Sequence, residues 1–161
     1  MTNKTKITAE PGKQELFIVR EFDAPRELVF KAFSDPEILV RFLGPKNLKM
    51  HIDHYDFRSG GSYRYVHTDE NGNAFGFNGA IHEVSAPERA IQTFEFEGMP
   101  QRGHVSLDTS LFEVLPGNRC RLTIQSVFRS VADRDGMVMS GMEGGLNEGF
   151  ARLDELLKTG F

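Results

Sequence analysis

The chain has no tryptophan, a single cysteine and no long apolar run among its 161 residues. Cys120 on its own excludes an intrachain disulfide and a thiolate metal cluster. No stretch approaches the roughly 20 consecutive apolar residues needed to cross a bilayer, so no membrane role is expected. Met1 to Lys13 is polar and holds no apolar segment of the secretory kind, and a cytoplasmic location is expected. An excess of one charge is also missing: 19 basic and 23 acidic residues give a formal net charge of -4 and alternate along the chain. Without a basic stripe a nucleic-acid partner is excluded. Internal repeats, low-complexity tracts and second-domain linkers are absent too.

What is present is the composition of a globular domain, 39% apolar and 26% charged, with 14 phenylalanines to fill an aromatic core. Residues 1–14, polar and containing Pro11 and Gly12, read as a flexible lead, and residues 15–161 as one domain. A strand is expected over Glu15 to Phe22, where Leu16, Phe17, Ile18 and Val19 run together. Asp23-Ala24-Pro25 signals a helix start, and Leu28, Val29, Ala32 and Phe33 recur at helical spacing. Ser34-Asp35-Pro36 starts a second short helix ending near Gly44-Pro45. Six strands then follow: Leu48 to Phe57, Ser62 to Thr68, Phe75 to Val84, Arg89 to Glu97, Gly103 to Leu115 and Arg119 to Arg129. Turn residues close each one, Asp69-Glu70-Asn71-Gly72-Asn73 being the strongest hairpin signal. The series predicts an antiparallel meander, with the first strand at an edge or beside the last. From about Asp133 to Lys158, Met139, Met142, Leu146, Phe150, Leu153 and Leu157 form one stripe of a long helix. Gly141, Gly144, Gly145 and Gly149 interrupt its first half, either to bend it or to let the sheet approach.

A helix with one apolar stripe must bury it, and the sheet is the only large partner. A meander of this length twists and curls around the helix and encloses space. Period-2 alternation then assigns inward faces. Tyr63 and Tyr65 (with His67), then Phe75 and Phe77 (with Ile81), then Phe94 and Phe96, point inward. In the last strand Leu122, Ile124, Ser126 and Phe128 share a face. In Gly103 to Leu115, one parity carries His104, Ser106, Asp108, Ser110, Phe112 and Val114 inward. The other carries Val105, Leu107 and Leu111, and both stay open. The first would give an aromatic pocket with a polar stripe, the composition of a small-molecule site. The expected cavity residues are Tyr63, Tyr65, Phe75, Phe77, Phe94, Phe96, His104, Ser106, Ser126, Phe128, Met139, Met142 and Leu146.

Several segments resemble the START-like (SRPBCC) superfamily, in its bacterial branch related to activators of the ninety-kilodalton heat-shock protein ATPase. They are Asp23 to Phe30 with Phe33-Ser34-Asp35-Pro36, then Phe57 to Arg64, then Gly79 to Val84 with Pro87-Glu88-Arg89. Ser140-Gly141-Met142-Glu143 and Gly149 to Asp154 complete the series. Phe42 and Phe94 stand where members often carry tryptophan. The resemblance implies an α+β helix-grip fold: a curved antiparallel sheet of about seven strands around a long C-terminal helix, with two short helices after the first strand. It also implies a ligand cavity, for instance for a lipid- or polyketide-like molecule. Its name adds a chaperone partner and a stress-response setting, but not one reaction.

Candidate chemistry is sparse. His51 and His54 have His-x-x-His spacing, but on a strand residues three apart point to opposite faces and share an ion only across a bulge, so a metal is rejected. Gly60-Gly61 and Gly144-Gly145 lack the loop-to-helix context of a phosphate cradle. An enzyme of the cyclase or hydrolase kind needs an acid and a base facing each other, for which His104, Asp108 and Glu143 are the candidates. A binding module needs only the cavity. Binding of a small apolar or amphipathic molecule, without a cofactor, is therefore the leading expectation, a homodimer remaining open. The flexible methionines Met137, Met139 and Met142 beside the glycines make the first half of the final helix the expected gate.

Overall fold

Alternation of apolar and polar residues is clearest in the strand Glu15–Phe22, where Leu16, Ile18, Arg20 and Phe22 are buried and their neighbours are not. The computed structural model describes residues 3–161. The elements run β1 (Lys6–Thr8), β2 (Glu15–Phe22), α1 (Arg26–Ser34), α2 (Pro36–Leu39), β3 (Lys49–Tyr55), β4 (Ser62–Thr68), β5 (Ala74–Ser85) and β6 (Arg89–Phe96). They continue with β7 (Val105–Leu115), β8 (Arg119–Val127), α3 (Val131–Met139) and α4 (Met142–Thr159). The eight strands form one antiparallel sheet in the order β1-β2-β8-β7-β6-β5-β4-β3. The meander is thus as expected, with β2 beside the last strand. The eighth strand is β1, inside the segment assigned to a lead: Lys6, Ile7 and Thr8 pair with Val19, Ile18 and Phe17.

Helix starts follow local chemistry with one difference. Asp35 caps α2, accepting from Glu37 N at 2.9 Å, with Pro36 at the first helical position. Asp23, expected to cap α1, does not. Pro25 holds the cap position without a side-chain bond, and Asp23 instead accepts from Arg119 Nε at 2.8 Å. The long C-terminal helix is two helices. Ser140 ends α3, and Gly141, at φ +86°, turns the chain before α4. That left-handed conformation suits glycine and re-phases the apolar stripe.

The main core lies where α1, α2 and α4 cover β2 and β8. Phe22 meets Phe150 edge-on with ring centroids 5.5 Å apart, beside Leu16, Val29, Phe42, Leu122 and Leu153. Gly149 lets the chain after α2 approach closely: a Cβ there would lie 2.9 Å from the Phe42 carbonyl oxygen. Arg152 then donates to the carbonyls of Phe42 and Gly44 and ties this loop to α4. Arg20, buried in β2, is neutralised by Asp154 of α4 at 2.6 Å. A second, smaller cluster of Tyr63, Tyr65 and Ile81 sits on the β3–β6 half of the sheet. Empty space is left between the two clusters.

Candidate functional site

Two adjoining cavities occupy that space. The smaller, about 190 Å³, lies against α1, α2 and the middle of the sheet, lined by Phe33, Tyr55, Phe57, Tyr63, Tyr65, Phe94, Gln92, Asp108, Ser110 and Phe112 among others. The larger, about 530 Å³, lies under the α3–α4 junction and the loop Leu43-Gly44-Pro45. Leu43, Tyr65 and Phe94 are common to both walls. The larger has a volume within the roughly 300–1,000 Å³ of small-molecule sites.

The ambiguous strand β7 is settled by its neighbours. Ser106 pairs with Phe94, and Asp108 with Gln92 and Ser126, so these residues share the cavity face. Leu107 and Leu111 lie on the outer face, 47% and 39% exposed. Val114, on the same parity as Phe112, is past the cavities and 65% exposed.

Most of the expected residues line this space. Tyr65, Phe75, Phe77, Phe94, Phe96, His104, Ser106, Phe128, Met142 and Leu146 border the larger cavity, and Tyr63 and Asp108 the smaller. Ser126 is buried behind the wall, with its hydroxyl toward Asp108. Ser126 therefore lines neither cavity, and further expectations are corrected. Met139 is 83% exposed, because α3 ends there and the turn at Gly141 points it away from the sheet. Glu143, in the first turn of α4, is exposed and borders neither cavity. His104 and Asp108 do not form an acid–base pair either. His104 lies just before β7, four residues from Asp108, roughly 13 Å at strand rise. His104 Nδ1 instead meets Asp133 Oδ2 at 3.0 Å, joining the start of β7 to α3.

The polar groups fall into spent and unspent sets. Tyr63 donates its hydroxyl to Thr93 O and Tyr55 to Phe33 O, both at 2.5 Å, and burial pushes both phenols well above their usual range. Asp108 accepts from Ser106 Oγ at 3.0 Å. Burial pushes its carboxyl up to about 6, the Ser126 and Ser106 hydroxyls pulling the other way. His67 is buried at the wall of the larger cavity, its Nδ1 without a hydrogen-bond partner, and burial, aided by the Arg152 charge, keeps the ring below its usual basicity. His51 and His54 take separate partners, Asp53 at 3.4 Å and Ser62 Oγ at 3.0 Å, although β3 does carry a register shift between Ile52 and His54.

Sequence reasoning missed Phe33, Leu43, Tyr55, Phe57, Gln92 and Asp133 as lining residues. The period-2 spacing of Tyr55 and Phe57 was an available signal. Phe33, Leu43 and Asp133 come from helices and loops that strand alternation does not reach.

Comparison with known proteins follows the same architecture. The family model of the Activator of Hsp90 ATPase homolog 1-like protein matches residues 23–158. Nothing among the curated proteins matches the chain. A crystal structure of a Rhodobacter sphaeroides protein is similar with TM-score 0.85 at 23% identity, over 96% of this chain and 99% of that one. An Arthrobacter aurescens protein solved by NMR gives TM-score 0.84 at 27% identity, over 96% and 92%. The AHSA1 protein from Silicibacter pomeroyi gives 0.73 at 24%, over 90% and 98%. With the model spanning α1, α2, strands β3–β8 and the C-terminal helices, the chain belongs to the family of Activator of Hsp90 ATPase homolog 1-like proteins.

Proposed function

We propose that the protein holds a small, largely apolar molecule between its curved sheet and its C-terminal helices. The observation that carries this reading is the pair of adjoining cavities, about 190 and 530 Å³, walled by aromatic rings with a few polar groups among them. For an enzyme using the same space the expected acid–base set does not come together, since Glu143 is outside the cavities and His104 pairs with Asp133 rather than Asp108. Native mass spectrometry before and after incubation with a lipid and metabolite extract of the host tests the proposal. An adduct of defined mass is expected. A bare protein under gentle conditions overturns it, and a mass converted during incubation would favour an enzyme.

A second reading, a chaperone-binding module as the family description suggests, is favoured by the outer face of the sheet. Leu107 and Leu111 of β7 and Val127 of β8, which pairs with Leu107, are exposed there together. Stimulation of an Hsp90 ATPase by the chain, lost in Leu107→Lys, is the expected result. No stimulation removes this reading.

A further inference from the structure

Among the described residues, Asp108 is the one charged side chain on the wall of the smaller cavity. Among the described residues it has no ion-pair partner, and its nearest donors are the hydroxyls of Ser106 and Ser126. A carboxylate offers about four acceptor positions, so roughly half of its capacity is unspent. Tyr63 and Tyr55 do not use it, because they donate to backbone carbonyls, and Tyr65, whose phenol feels its charge, makes no hydrogen bond to it among the described residues. What surrounds it instead is ring surface. Tyr55 and Phe57 stack at 5.5 Å, Tyr63 and Tyr65 at 6.0 Å, and Phe94 closes the wall toward the larger cavity.

A carboxylate without an ion-pair partner attracts a cation, and more strongly where apolar walls limit the water that screens it. Aromatic faces attract the same cation through their quadrupoles and repel none of its apolar substituents. A neutral hydroxyl would gain one hydrogen bond to Asp108 but neither the charge attraction nor the ring attraction. The sizes divide the same way. About 190 Å³ takes a head group, and the adjoining 530 Å³ of mostly apolar wall takes what is attached to it.

We propose that the smaller cavity is a recognition site for the ammonium group of a primary amine, with Asp108 as its counter-ion and the remainder of the molecule in the larger cavity. This rests on the ligand-binding reading above. It explains why a fold with ample apolar core keeps a carboxylate at that depth. The amine restores the missing positive charge, and the ligand's specificity becomes a matter of charge at one end and shape at the other.

The test compares naphthylmethylamine with naphthylmethanol, one aryl group carrying an ammonium or a hydroxyl, by calorimetric titration at pH 7.5. The wild type should bind the amine about tenfold or more tightly than the alcohol. In Asp108→Asn, with melting measured alongside to verify folding, that preference should fall below about twofold. Equal affinities in the wild type overturn the amine site and leave the ligand-binding reading standing. Binding of neither probe overturns both. A preference retained in Asp108→Asn places the ammonium elsewhere and overturns the assignment to Asp108. The wild-type comparison decides the matter even if the variant fails to fold.

Discussion

Asp108 titrates near 3.8 in an unfolded chain and at about 6 in the folded one, because burial penalises its charged form. Below the lower value it is protonated in both states and favours neither. Between the two, the unfolded chain has released a proton that the folded one keeps, so stability falls as pH rises. Above the higher value the loss is complete. A gap of about two at about 1.4 kcal/mol each puts the penalty on the order of 3 kcal/mol at neutral pH. Asp108→Asn removes the charge while its amide oxygen still accepts from Ser106. Relative to the wild type it should stabilise the fold by about 1–3 kcal/mol at pH 7.5 and by no more than about 0.5 kcal/mol at pH 4. Urea denaturation of both proteins at both pH values measures this, and the remaining carboxylates cancel in the difference. Tyr63, Tyr65 and Gln92 line the chamber beside it, the two phenols stay protonated throughout, and among the described residues no Arg or Lys lies on its wall. A gain equal at both pH values, or a loss at pH 7.5, would refute the reasoning.

Other outcomes follow from packing. Gly149→Ala should cost about 1–3 kcal/mol, since its Cβ would press on the Phe42 carbonyl oxygen, whereas Gly144→Ala, with open space around it, should gain up to about 1 kcal/mol; denaturant midpoints separate the two. Leu153→Ala, in the closed core, should cost about 2–5 kcal/mol, and Phe94→Ala only about 1–2, because the ring already borders empty space; equal losses would mean that the cavities are filled by rearranged side chains. Arg152→Ala should free the carbonyls of Phe42 and Gly44 and speed amide exchange across residues 42–48, with stability falling by about 1–3 kcal/mol; unchanged exchange there would show that Glu148, which accepts from Lys46 N, holds the loop alone.

Strand positions were legible because glycine, proline and asparagine mark the turns, and the six expected strands coincide with β3–β8 to within about two residues. Inward faces were legible wherever one parity was clearly apolar, as at Tyr63 and Tyr65. In β7 both parities are apolar, and only its pairing with Phe94 and Ser126 decides that Ser106 and Asp108 face the cavity. The break at Gly141 was hidden because apolar residues keep helical spacing across it. Met139 and Glu143 were therefore placed on a face that does not exist there. β1 was missed because Lys6-Ile7-Thr8 is too short to show alternation, and its pairing depends on β2. The charge state and the unspent bonds of Asp108 are properties of enclosure and carry no local sign.

The placement of β2 beside β8 has a consequence for biogenesis. Gln14 and Phe128, bonded at the junction of these strands, are 114 positions apart in the chain. At a synthesis rate of about 5–20 residues per second, β2 waits roughly 6–23 s on the ribosome before its partner exists. During that interval Leu16, Ile18 and Phe22 lack the surface that will bury them, and the strand presents an unpaired edge. The meander β3–β7 can assemble from neighbours as it emerges, so the late event is closure by β8 and the helices behind it. The enclosed space thus comes into being last among the parts of this fold, and anything captured inside must enter after β8 and the helices behind it have emerged.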